Sequence, residues 1–425
     1  MKKSNCSFFL TASLLILALT CNMTSCSEEG VGPVSPDGGF YYGELSALDK
    51  SGLDDGALGA MPGDEGNPSG NTQAGIVTAG EWCDLTHWSF WSKLMQDTDS
   101  TGYADKSDYW RFYTNNRVVV RVTDEGGYPM VGSQVELLRS TGESQATLWR
   151  AVTDNHGFAE CWVGLFQKET ADASTLRVSV DGFLMDGHPL ISSWDSTALQ
   201  TTINTYALPG YLDEPVEKHA DVAFIVDATG SMMDEINFLK SDLVDIINKA
   251  SSVRPSLKIR TAALFYRDEG DEYVTRHSDF TEKLKSTADF VGKQKADGGG
   301  DYPEAVHTAL EQMLQSLSWQ AYYTRLAFLI LDAPAHHEDK VIQSLQKSVQ
   351  LCAQMGIRLI PVAASGVDKN TEFMLRFFAI ATGGTYVFLT DDSGVGNPHI
   401  KASVGPYEVE QLNSLIIRLI EQYTE

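Results

Sequence analysis

The segment Ala220–Ile236, ADVAFIVDATGSMMDEI, constrains this chain more than any other. It reads as a buried strand ending in Asp227, then a hydroxyl-rich turn, then a helix. Texture of the same kind runs to the C-terminus. Strands are predicted at 221–227, 257–266, 273–279, 325–332, 357–364 and 385–390. Helices are predicted at 233–250, 282–294, 304–318, 339–355, 370–382 and 407–423. Val306, Ala309, Leu310, Met313, Leu314 and Leu317 trace one helical face, and LAFLILD and IRLIPVA are near-continuous apolar strands buried on both sides. Strands alternating with helices give an α/β fold with a doubly wound, mostly parallel sheet that presents ligands at the carboxyl ends of its strands. The charge-flanked strand 273–279 is the expected antiparallel edge.

Three loops are expected to meet at that edge: Asp227-Ala228-Thr229-Gly230-Ser231, Asp297 to Glu304, and Leu331-Asp332-Ala333-Pro334. Asp227, Thr229 and Ser231 stand at i, i+2 and i+4, so a tight turn can aim three oxygens at one point. Oxygen ligands suit a hard cation, Mg²⁺ or Ca²⁺. An acid ending an apolar strand is costly unless something pairs with it. Capping is the bland alternative: Asp301-x-x-Glu304 and Ser231-x-x-Asp234 both have cap spacing.

These loops resemble the metal-ion-dependent adhesion site of von Willebrand factor type A domains, and the segment order resembles the complete fold, over 219–425. The resemblance implies that Thr229 and Ser231 bind metal directly and that Asp227 and Asp332 bind directly or through water. Where the family usually has threonine in its second loop, this chain has Asp301. A third carboxylate tightens cation binding, blunts the pull on an incoming acidic ligand and tilts preference toward Ca²⁺. By the switch-point rule Asp268, Glu269, His336, His337, Asp391, Asp392 and His399 would rim the site. Of the adjacent His336 and His337, one is expected to pack and one to be solvated.

Upstream, residues 116–215 read as short strands with turn signals, including a hairpin at Asp154-Asn155-His156-Gly157. VTDEGGYPMVGSQVEL and VTDNHGFAE resemble bacterial carboxypeptidase-regulatory-like and Ig-like modules, which implies a small all-β sandwich serving as a spacer. Residues 81–115 are dense in aromatics, among them Trp82, Trp88, Trp91, Tyr103 and Trp110, and read as a packed subdomain of no assignable fold. Residues 26–80 are rich in Gly, Pro, Ser and acids and read as a flexible tether of roughly 40 Å end to end.

Residues 1–25 read as a signal segment: Lys2 and Lys3, then an apolar run from Phe8 to Leu19. Met23-Thr24-Ser25-Cys26 resembles a bacterial lipobox, better than Ala18-Leu19-Thr20-Cys21, and implies lipid on Cys26. Ser27-Glu28-Glu29 resembles an acidic surface-sorting tag. Together these imply an outer-membrane lipoprotein of a Gram-negative bacterium, surface-exposed, with a periplasm-facing orientation as the alternative. An exported chain permits a disulfide between Cys83 and Cys161, two separate buried thiols being equally open. Cys352 lies on the stripe Ile342, Leu345, Val349 and is expected to be an inert core thiol.

Net charge is -25, which disfavours nucleic acid and anionic lipid as partners. No G-x-S-x-G elbow, H-E-x-x-H or P-loop occurs. The reading is therefore a non-enzymatic envelope protein that binds a protein or other macromolecule offering an acidic group. A metal-assisted hydrolase using Asp332 and His336, or a metal-independent scaffold, are the alternatives. Nothing in the sequence speaks to oligomeric state. The lipid anchor has a direct test. Cys26→Ser is expected to move the protein from the detergent phase to the aqueous phase in a Triton X-114 partition, and an unchanged partition would remove the anchor.

Overall fold

The computed structural model describes residues 74–97, 103–142, 144–192, 202–209, 218–250, 252, 256–395 and 399–425. The signal segment, Cys26 and most of the tether lie outside these residues.

Strand β1 (Thr78–Trp82) and helices α1 (Trp88–Gln96) and α2 (Tyr103–Trp110) come first. Seven short strands follow: β2 (Arg117–Asp124), β3 (Gln134–Thr141), β4 (Ser144–Val152), β5 (Phe158–Trp162), β6 (Leu176–Val180), β7 (Phe183–Leu184) and β8 (Ile203–Leu208). The α/β part runs β9 (Lys218–Asp227), α3 (Ile236–Ala250), β10 (Leu257–Tyr266), β11 (Thr275–Thr281), α4 (Leu284–Gly292), α5 (Val306–Ser316), β12 (Thr324–Leu331) and α6 (Asp339–Met355). It ends with β13 (Ile357–Ala363), α7 (Lys369–Thr382), β14 (Tyr386–Leu389), β15 (Glu410–Gln411) and α8 (Leu412–Thr424).

The main sheet has the order β11-β10-β9-β12-β13-β14-β1-β15. β9 lies between β10 and β12, parallel to both, and β11 is the antiparallel edge that its charge pattern predicts. Each residue of Ala220–Asp227 is buried, because helices cover both faces. The chain therefore reverses winding direction at β9, and a crevice opens where its carboxyl end meets the ends of its neighbours.

Three expectations need correction. First, the α/β domain does not start at 219. β1 pairs antiparallel with β14 in the register Ala79↔Leu389 to Trp82↔Tyr386. β14 has four residues, all buried, and β1 covers the edge that it would otherwise leave open. Thr78–Gly80 thus belong to the sheet and not to the tether. The aromatic residues behind β1 do pack, but onto the α/β domain itself. Trp91 stacks on Phe373 at 5.9 Å and Phe112 on Phe377 at 3.9 Å, and the indole of Trp110 donates to the carbonyl of Asn370 at 3.2 Å. This cover explains why every residue of α7 from Thr371 to Thr382 is buried.

Second, the β module is not a detached spacer. It has a sheet β5-β2-β8 and a sheet β4-β3-β6-β7. The turn at Asp154 forms, with Asp154 Oδ1 accepting from the amides of His156 and Phe158. The strands leaving it nevertheless part, β4 to β3 and β5 to β2. Trp149, Val118 and Val178 share one apolar core with α5, α6 and α7. Gly356, at φ +66, ends α6, and a Cβ there would lie 2.9 Å from Val152 Cβ. The side-chain amide of Asn155 donates to the carbonyl of Gln422 at 3.0 Å.

Third, Cys83 and Cys161 are free thiols. Cys161 is fixed within β5 opposite Val118, while Cys83 follows β1 in the other sheet. Cys352 is buried in α6 as expected, and desolvation pushes its thiol pKa up.

The seam between the aromatic segment and α7 rests on Arg376, whose side chain is fully buried. Its guanidinium donates to Asp84 Oδ2 at 2.8 Å and Oδ1 at 2.5 Å, and to the carbonyl of Ser403 at 2.6 Å. Removing one partner of such a pair leaves a buried charge uncompensated. Asp84→Ala is expected to cost about 3–5 kcal/mol in urea unfolding; a loss under about 1 kcal/mol would mean that water replaces the carboxylate.

Candidate metal centre

Asp227 closes β9 and is fully buried. The amide and hydroxyl of Thr229 both donate to its Oδ1, at 2.9 and 2.7 Å. Its Oδ2 has no partner. Thr229 Oγ1 lies 3.2 Å from Ser231 Oγ, and Ser231 opens to solvent. Gly230–Asp234 is a 3₁₀ turn, so α3 begins three residues later than predicted, at Ile236. Asp332 follows β12 and is also buried, with Oδ1 unpartnered.

The loops are stitched together through their backbones. Gly230 N donates to the Gly298 carbonyl and Asp297 N to the Ala228 carbonyl, each at 3.0 Å, and Glu304 N donates to the Pro334 carbonyl at 2.8 Å. Arg267 adds a brace, donating through Nε to Ala228 O and through Nη2 to Lys295 O. Gly298 and Gly299 have φ of +78 and +71, a left-handed turn that favours glycine. A Cβ on Gly298 would lie 2.4 Å from the Asp271 carboxylate.

Three acids crowd this crevice. Burial, then the neighbouring acid, pushes the Asp332 pKa up. Burial likewise raises Asp227, against the Thr229 hydrogen bonds. Glu304 is raised to about 9 by burial, then by Asp227, Asp268 and Asp332. The Tyr266 hydroxyl among them is pushed well above its usual range by burial and by Asp227, Glu304 and Asp332. Among the described residues no lysine or arginine forms an ion pair with Asp227, Asp332 or Glu304. The donors are carboxylates and hydroxyls, with orphaned oxygens on Asp227, Asp332 and Glu304. This set fits a hard divalent cation. Among the described residues no three His, Cys, Asp or Glu side chains close on one point, so an ion here would need the hydroxyls too.

Residues 221–370 match the von Willebrand factor A domain family. This segment is a type A domain. The chain is 27% identical over 208 residues to an alpha-protein kinase, vwkA, of Dictyostelium discoideum, covering 48% of this chain and 32% of the kinase. It is 29% identical over 187 residues to a putative ariadne-like RING finger protein of Acanthamoeba polyphaga mimivirus, covering 40% of this chain and 18% of that protein. The chain thus spans a third or less of these curated relatives. The crystal structure of a conserved hypothetical protein, BatB, from Bacteroides thetaiotaomicron aligns with 48% of this chain and 98% of its own, at a TM-score of 0.35 and 12% identity.

Within the type A domain, Thr229 bonds to Asp227 and lies beside Ser231, and Asp332 follows the neighbouring strand β12. Asp301 is exposed at the mouth of a cleft of about 240 Å³ that Ser231, Tyr302 and Glu304 also line. The buried acid of this loop is Glu304, 2% exposed. Sequence spacing makes it a helix cap, yet the N-cap of α5 is Ala305, with no side-chain cap. Its one sequence signal is an acid directly before an apolar helix.

The rim is partly as expected. His336 Nε2 lies 2.8 Å from Asp268 Oδ1, so His336 is paired and half-buried. Glu269 sits 3.6 Å from His307, which sequence reasoning missed. His399 joins Asp391 at 2.8 Å and approaches Glu235 at 3.6 Å. Asp392 is exposed. His337 leaves the rim: it stacks on Tyr109 of α2 at 3.6 Å and contacts the Tyr109 carbonyl. It stays exposed while stacked, because α2 supplies a flat partner that the sequence does not place there; His336 is the more buried of the two.

Proposed function

We propose that this protein is a non-enzymatic, lipid-anchored protein of the cell envelope whose type A domain binds a macromolecular partner through a divalent cation, Mg²⁺ or Ca²⁺. The observation that carries the reading is the pair of buried acids, Asp227 and Asp332, each with an orphaned oxygen and without a basic partner. Asp227, Thr229, Ser231 and Asp332 would hold the ion. Once bound, the ion supplies a positive centre at the cleft mouth that an acidic group of the partner can meet. Thr229 orients Asp227 by its two hydrogen bonds, and Ser231, at the solvent side, is the protein ligand nearest an arriving group. Asp268 and Asp391 hold His336 and His399 at the border. The outer membrane, with the folded part facing outward, is the proposed location.

The test is thermal. A cation at 100 times its dissociation constant stabilises the native state by about 2.7 kcal/mol. Mg²⁺, Ca²⁺ or Mn²⁺ is expected to raise the melting temperature above that in EDTA, with no rise in Asp227→Ala. Partner capture is expected to be lost in that variant and in EDTA. Undiminished capture by Asp227→Ala would overturn the mechanism, and no rise with any ion would favour a metal-independent scaffold.

A further inference from the structure

We infer that a cavity at the amino end of the sheet is a second binding site, for an uncharged polyhydroxy ligand the size of one sugar ring. The cavity holds about 290 Å³, against about 240 Å³ for the cleft at the carboxyl end. It opens where β1 ends, β14 begins and α8 ends, and Trp82, Cys83, His87, Thr385, Pro406 and Tyr423 line it. None of its lining residues lies within 221–370, so the match of that segment to the type A family does not carry this site.

The walls are fixed. Trp82 stacks on His87 at 4.1 Å, and its indole donates to Asp84 Oδ1 at 3.0 Å. A Cβ on Gly405 would lie 2.5 Å from the Trp82 ring, so glycine there lets the chain carrying Pro406 close onto the indole. The polar groups are neutral and have bonding capacity to spare. Glu81, the one carboxylate of the lining, is already engaged: Thr385 Oγ1 donates to it at 3.0 Å and Arg418 Nη2 at 2.9 Å. Tyr423 packs its ring against the apolar core, yet its hydroxyl has no hydrogen-bond partner among the described residues. Burial, then Cys83, raises the pKa of that hydroxyl well above its usual range, so it stays a neutral donor. Burial pushes the Cys83 thiol up to about 11. His87 Nδ1 lies 2.9 Å from the Cys83 carbonyl, which can only accept, so Nδ1 carries the proton and Nε2 of the neutral ring is left to accept. Ring surface beside neutral donors and acceptors suits a ligand with an apolar face and hydroxyl edges. A charged ligand would find no unpaired charge in the lining to meet it.

The experiment is saturation-transfer NMR and calorimetric titration of the full chain with glucose, galactose, mannose and N-acetylglucosamine, beside glucuronate and glucosamine as charged controls. At least one neutral sugar is expected to bind with a dissociation constant of about 1 mM. Binding is expected to be the same in EDTA as in Ca²⁺, and in Asp227→Ala as in the wild type. Tyr423→Phe keeps the ring and removes only the hydroxyl. It is expected to hold the melting temperature and to weaken the sugar by at least about fivefold. Thr86→Trp, at the exposed rim of the cavity, is expected to abolish binding by filling it. No saturable binding of any neutral sugar overturns the inference. So does binding that either variant leaves unchanged, or tighter binding of glucuronate or glucosamine than of every neutral sugar. Binding lost in EDTA or in Asp227→Ala would move the ligand to the cation cleft and overturn it too.

Discussion

Two carboxylates at the ends of buried strands are the constraint on which the rest of this structure turns. Asp227 ends β9 and Asp332 follows β12, neighbours at the centre of an eight-stranded sheet covered on both faces. Strand burial supplies the hydrophobic stabilisation, but it carries the acids out of water, where an isolated ion costs several kcal/mol. The described residues answer this with hydroxyls and amides, not with cations. Thr229 gives Asp227 two hydrogen bonds, while Asp227 Oδ2 and Asp332 Oδ1 stay buried without a hydrogen-bond partner.

That arrangement needs loops held to a fraction of their usual freedom. The hydrogen bonds from Gly230, Asp297 and Glu304 to neighbouring loops convert three surface turns into one braced unit, and Arg267 ties the first to the approach of the second. The left-handed glycines at 298 and 299 allow the second loop to pass close to Asp271 and Thr229. Rigidity of this kind lets a site keep unpaired acids in place, because their mutual repulsion cannot be relieved by drift.

On the far side of the sheet, the same economy of burial joins pieces that look separate in the chain. α7 is buried nearly all round, Glu372 and Arg376 included, and so needs cover on both sides. The aromatic segment gives it one cover, locked by Arg376 and Asp84, and β1 closes the edge of β14 on the way. The β module leans on α6 through Val152 and on α7 through Phe166. Type A domain, aromatic segment and β module therefore share one apolar core.

The sequence by itself determined the alternation of strands and helices, the antiparallel edge at β11 and the places of Asp227, Thr229, Ser231 and Asp332 at strand ends and in the turn after β9. Each is local: apolar runs bounded by acids and hydroxyls at fixed spacing. β10 runs from Leu257 to Tyr266, the bounds its pattern predicts, and Cys352 is buried on its stripe. Only the tertiary structure decided which acid of Asp301 and Glu304 is buried, since spacing makes both of them caps and the choice depends on a backbone bond to Pro334. It likewise decided that β1 crosses some 300 residues of chain to reach β14, that strands meeting at Asp154 part into two sheets, and that His337 stacks on Tyr109. None of these leaves a periodic trace, because each depends on a surface that exists only after distant elements have packed.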